Sequence, residues 1–183
     1  MFLWSKKWRL LQENNLAEPV LALWLCRSAS ENYPELVRPL TGKEMEQEIR
    51  VFLESWEDTP RGIKEAFVRL TTNLAAKNGL RFFFKARPGI SYSLRAAYAL
   101  QKERALFVIM DVIDDDPQNR WLSVCFYPDM ITDPDERGNL IPWGLLGEDG
   151  YCFDLDAWDG EYLSYLEARQ DEAYMAAAEI GKQ

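Results

Sequence analysis

The chain reads as an α+β domain: a helical N-terminal layer packed on a four- to five-stranded, mainly antiparallel sheet, closed by a C-terminal helix. Three observations predict this. Apolar residues recur at helical spacing through residue 79, the period drops to two at Leu80, and a helical pattern returns after Asp159. A length of 183 residues fits a single domain over 1–183. Folding at that size buries about 70% of the unfolded surface, so the core needs neither disulfide nor metal. Apolar residues make up 48% of the chain, with seven Trp, which argues against disorder.

Residues 1–79 are expected to be mainly helical. Phe2, Leu3, Trp4, Trp8, Leu10 and Leu11 have the spacing of a short amphipathic helix. A second segment carries Val20, Leu21, Leu23, Trp24 and Leu25, and a helix is favoured there over a buried strand. Pro34 and Pro39 bracket a helical turn. Thr41 with Glu44 forms a capping box, after which Met45, Ile49, Phe52, Leu53 and Trp56 share one helix face. Thr59-Pro60 is another start signal, followed by Ile63, Phe67, Leu70 and Leu74, and Asn78-Gly79 supplies a left-handed stop. As interface anchors, Trp4, Trp8, Trp24 and Trp56 would imply a homodimer or a partner, but large buried side chains explain them more simply.

Residues 80–127 are expected to form an antiparallel meander of four strands. In 80–87 the even positions are Leu80, Phe82, Phe84 and Ala86, and the odd ones Arg81, Phe83, Lys85 and Arg87. Pro88-Gly89 suits a type II turn. Residues 90–100 alternate again, with Tyr92 and Leu94 at even positions and Ser91, Ser93 and Arg95 at odd ones. Residues 105–113 run nearly continuously apolar, as an interior strand does. After the Asp114–Asn119 loop, Leu122, Val124 and Phe126 alternate with Trp121, Ser123, Cys125 and Tyr127. Residues 128–158 are expected to be an irregular loop followed by an edge strand at 151–155, and 159–180 a helix capped by Asp159.

Charge is distributed unevenly in this acidic protein of net −9. Residues 1–80 hold 11 basic and 11 acidic side chains, 81–110 hold 6 and 1, and 111–183 hold 4 and 18. A pI near 4.7 opposes nucleic-acid binding, whose affinity comes mainly from neutralising phosphates. No stretch has the length of a membrane span, and no signal-type N-terminus is evident, so a cytoplasmic protein is expected. Cys26, Cys125 and Cys152 form no C-x-x-C and read as small buried residues in a reducing compartment.

The chain contains no His, which removes Ser-His-Asp and Cys-His chemistry and His-ligated zinc. Glycine-rich phosphate loops and G-x-S-x-G are absent as well, so nothing in the sequence supports an enzyme, a catalytic residue or a cofactor. The segment 133–140 imitates part of a calcium loop but places Arg137 fifth and Gly144 twelfth, where a carboxylate is needed. No metal site is therefore assigned.

One surface stands out. With even positions in the core, Arg81, Lys85, Arg87 and Arg95 share the reverse face with Trp121 and Tyr127. Guanidinium forks beside aromatic rings suit a small anionic ligand or an acidic protein partner. The competing explanation is internal: the acidic 111–183 segment folds across the same face and neutralises it. The expected function is a non-enzymatic binding or interaction module using these six residues of the sheet face and the 128–150 loop. The alternative is a divalent-metal, carboxylate-dependent enzyme drawing on Asp111, Asp129, Asp133 or Asp135.

Overall fold

A computed structural model describes residues 42–57 and 59–180. The helical expectations for residues 1–41, with Trp4, Trp8, Trp24 and Cys26, lie outside the described residues. Helix α1 (Gly42–Ser55) and helix α2 (Ile63–Ala75) precede six strands: β1 (Leu80–Arg87), β2 (Ser91–Tyr98), β3 (Val108–Ile113), β4 (Trp121–Phe126), β5 (Asn139–Leu145) and β6 (Glu148–Leu155). Helix α3 (Gly160–Ile180) ends the described chain.

Local chemistry explains the element boundaries. Ile49 and Phe52 are buried along α1 and Trp56 just beyond its end, as are Ile63, Phe67, Leu70 and Leu74 along α2. The start of α2 lies later than Thr59-Pro60 implies. Those residues form a turn in which the Gly62 N–H donates to the Thr59 carbonyl, and Gly62 at φ 66° is the N-cap. Gly79, at φ 74°, redirects the chain into β1. The β1–β2 connection is the expected turn: Ile90 N–H donates to the Arg87 carbonyl at 2.9 Å, and Gly89 has φ 78°. The Asp159 carboxylate accepts the N–H groups of Glu161 and Tyr162, satisfying two of the free donors at the start of α3.

The six strands form one antiparallel sheet in the order β1-β2-β3-β4-β6-β5. The first four are the expected meander. Two expectations are corrected beyond them. Residues 139–155 form a hairpin rather than an irregular segment with one strand, giving six strands instead of four or five. The 151–155 strand belongs to β6, which is interior, and β5 takes the edge. A two-residue turn joins them, with Leu146 at φ 53° and Gly147 at φ 87°. Two positive φ values give the twist a tight hairpin requires.

Register fixes the two faces of the sheet. Phe82 pairs with Ala96, Ala96 with Val108 and Val108 with Phe126, while Phe84, Leu94, Met110, Val124 and Phe153 form the next row. This is the even face, and the described helices pack on it. Phe52 of α1 stacks on Tyr92 and contacts Phe84. From α3, Gln170 donates to the Met110 sulfur, while Tyr165 contacts Phe153 and Tyr174 contacts Tyr98. Leu163, Leu166, Ala173 and Ala177 are fully buried along the same helix. Trp56 is 2% exposed and belongs to the core. Among the described residues no helix is long and apolar enough to cross a membrane.

Candidate functional site

The odd face carries the basic residues. Its rows run Phe83–Arg95–Ile109–Cys125–Cys152, Lys85–Ser93–Asp111–Ser123–Asp154 and Arg87–Ser91–Ile113–Trp121, with Arg81 opposite Ala97. Period-two alternation on two strands joined by a tight turn thus sets four cations side by side. Lys85 and Arg87 are two residues apart on β1, about 6.6 Å along the strand. Arg95 is a diagonal neighbour of Lys85 across the β1–β2 pair.

Two buried serines anchor the arginine guanidinium groups. Arg87 Nη2 donates to Ser91 Oγ at 2.8 Å and Arg95 Nε to Ser93 Oγ at 3.2 Å. Ser91 and Ser93 are 2% and 0% exposed, so the two half-buried guanidinium groups are held down against the sheet surface. Arg81 and Lys85 are exposed. Burial of its stem, together with the like charges of Arg95 and Arg87, lowers the Lys85 ammonium below the ordinary lysine range. Among the described residues, no carboxylate forms an ion pair with Arg81, Lys85 or Arg87.

The two aromatic candidates do not join this cluster. Trp121 shares a row with Arg87 but lies three strands away, about 14 Å at ordinary strand spacing. It is 5% exposed and Tyr127 is 2% exposed, so neither offers an open ring. Arg104 occupies the Tyr127 ring, its guanidinium 4.0 Å from the centroid. The same guanidinium bridges Asp129 at 2.8 Å and Glu148 at 2.9 Å. Burial opposes its charge, but the hydrogen bonds it donates to Glu148 and Asp129 outweigh that and raise Arg104 above the ordinary arginine value. Arg104 was missed from sequence because nothing in its spacing announces that Asp129 and Glu148 will meet it. The serine anchors were legible as odd-position neighbours of the arginines.

Among the described residues, the C-terminal helix of the acidic 111–183 segment does not cover this face. Helix α3 lies on the even side, and Glu167 pairs with Arg69 of α2 at 2.7 Å. Two carboxylates do share the odd face, Asp111 and Asp154, placed two and four strands from Lys85 in its row.

The other aspartates have structural partners. Asp133 accepts the backbone N–H groups of Arg137 and Gly138 and the hydroxyls of Tyr151 and Tyr165. The calcium-like segment is thus a turn closed on its own carboxylate. Burial raises Asp133, but the Tyr165, Gly138, Arg137 and Tyr151 hydrogen bonds prevail and hold it below the usual carboxylate range. Burial and the Asp133 carboxylate push Tyr151 up to about 12. Asp135 pairs with Arg137 at 3.5 Å. Among the described residues, no three Cys, Asp or Glu side chains come together in an arrangement that could hold a metal ion.

Cys125 and Cys152 are cross-strand partners on β4 and β6, joined as a disulfide and both buried. Burial matches the sequence expectation; the bond between them does not.

A shallow groove of about 500 Å³ also lies between α1 and α2, lined by Ile49, Leu53, Thr71 and Ala75 among others. It lies away from the basic cluster. No family model, curated protein or solved structure matches this chain.

Proposed function

We propose that this protein is a non-enzymatic binding module that engages a small anionic ligand or an acidic protein partner on the odd face of β1 and β2. Arg81, Lys85, Arg87 and Arg95 supply the charge. One observation carries the reading: register sets Lys85, Arg87 and Arg95 together on β1 and β2, on the face away from the acidic helix α3, where burial and the like charges of Arg95 and Arg87 lower the Lys85 ammonium. An anion placed there would relieve that repulsion and gain charge-assisted hydrogen bonds. Trp121 and Tyr127, included in the site on sequence grounds, support the sheet beneath it rather than stacking on a ligand.

Nucleic acid is a poor candidate, since a net charge of −9 repels a phosphate chain extending beyond the patch. The metal-dependent alternative draws no support from Asp129, Asp133 and Asp135, each of which is engaged by Arg104, by two tyrosines or by Arg137. We place the protein in the cytoplasm on its sequence, although the Cys125–Cys152 disulfide weighs towards an oxidising compartment. A homodimer, if formed, would use another surface, because the basic cluster repels its own copy.

The test is a titration with inorganic pyrophosphate at low and high salt. Binding weakens as salt rises, and Arg87→Ala with Arg95→Ala lowers affinity at least about tenfold, the value of one charged hydrogen bond. Unchanged binding by the double variant contradicts the assignment.

A further inference from the structure

The two edges of the sheet are built differently, and the difference points to what the basic face recognises. The β5 edge is blunted: it contains Pro142, its pairing slips between Ile141 and Leu145, and Trp143 has φ 60°. Such features stop another strand from adding. The β1 edge has none of them. Its eight residues pair with β2 in unbroken register from Leu80↔Tyr98 to Arg87↔Ser91, contain no Pro and, among the described residues, pair with no strand on the outer side. Arg81, Lys85 and Ala86 are exposed along it.

Among the described strand residues the protective device on β1 is charge, and it has a single sign. Arg81, Lys85 and Arg87 recur along one side of β1. Pairing β1 with β1 of a second copy would set cation against cation, which is destabilising at cross-strand distances. The same row would meet an incoming strand bearing Glu or Asp at alternate positions with opposite charges directly across. A straight, unblocked edge with one sign of charge therefore rejects its own copy and selects an acidic one.

We infer that the partner of the basic face is an acidic peptide segment in extended conformation, which adds to β1 as a seventh, outer strand. Its backbone groups pair with the outer edge of β1, and alternate carboxylates face Arg81, Lys85 and Arg87, with Arg95 one strand further in. Backbone pairing supplies affinity, and charge sets register and identity. This rests on the basic-face reading above and narrows its ligand from any anion to a strand.

The probe is a blocked eight-residue peptide alternating Glu and Thr, compared with the same peptide methylated at every backbone nitrogen and with inorganic pyrophosphate. Affinity is read by calorimetry, and amide exchange reports which edge is covered. The unmethylated peptide is expected to bind at low salt, at least about tenfold more tightly than the methylated form, since several backbone hydrogen bonds are lost together. Amide exchange should slow on β1 and not on β5. If both peptides bind equally and are weakened by Arg87→Ala with Arg95→Ala, or if β5 is protected instead, strand addition is overturned while the basic site stands. If neither peptide nor pyrophosphate binds, both readings fall, and the charges serve only to keep β1 from self-association.

Discussion

Arg120 donates its Nε–H to Asp114 Oδ1 at 2.6 Å, closing the loop end of the β3–β4 hairpin with side chains only 9% and 3% exposed. The Arg120 guanidinium also faces the rings of Trp56, Tyr92 and Phe52 at 5.3, 5.6 and 5.9 Å. The second Asp114 oxygen accepts the Gly89 N–H at 2.8 Å. One carboxylate thereby ties the β1–β2 turn to the β3–β4 hairpin and to α1.

Removing that carboxylate leaves a buried cation without its counter-ion. Asp114→Ala is expected to cost about 3–5 kcal/mol in chemical denaturation. Adding Arg120→Met should recover part of the loss, because an uncharged pair needs no compensation. A single variant within about 0.5 kcal/mol of the parent, the ordinary spread of surface substitutions, contradicts this role.

The Asp133–tyrosine cluster predicts two pH windows. Asp133 has a folded pKa below its unfolded value of about 3.9, so its contribution is present above that value and fades as pH falls through the folded pKa. Tyr151 is raised to about 12, so its contribution is complete below the unfolded value of about 10 and is lost as pH climbs towards the folded one. Stability followed against pH should decline at both ends. In Asp133→Asn the acid limb should shrink, and a tyrosine titrating near 12 in the parent should move down in ultraviolet titration. An identical alkaline titration in the variant argues against the contact.

The Cys125–Cys152 bridge predicts a single alkylatable thiol, Cys26, in the unfolded, unreduced chain. Closing a loop with a sequence separation of 27 should be worth about 3–4 kcal/mol on the chain-entropy model, so reduction should lower the denaturation midpoint. Labelling of three cysteines without reductant would show the bridge is not formed.

Much of this was legible from residue spacing, for identifiable reasons. Strict alternation from Leu80 and the Pro88-Gly89 turn fixed the parity that puts Phe82 and Leu94 on one face and Arg87 and Arg95 on the other. The β5–β6 hairpin was hidden because Pro142, the slipped register and the left-handed Trp143 and Leu146 break alternation where a strand would be sought. The burial of Trp121 and Tyr127 was implied but not drawn out. A nearly continuous apolar run at 105–113 signals a strand buried on both faces, and Ile109 and Ile113 are each 8% exposed on the odd side. Their neighbours on β4 share that environment, so the accessible part of the face contracts to β1 and its contact with β2.

Lys85 offers the most direct test of that contracted site. Side-chain NMR of its ammonium group, titrated with and without inorganic pyrophosphate, reads the local field at the centre of the cluster. The free protein should show Lys85 below the ordinary lysine range, and Arg87→Ala with Arg95→Ala should raise it by removing like charge. Pyrophosphate should raise it in the parent and leave the double variant nearly unchanged. A Lys85 titration that pyrophosphate does not move in the parent would contradict anion binding on this face.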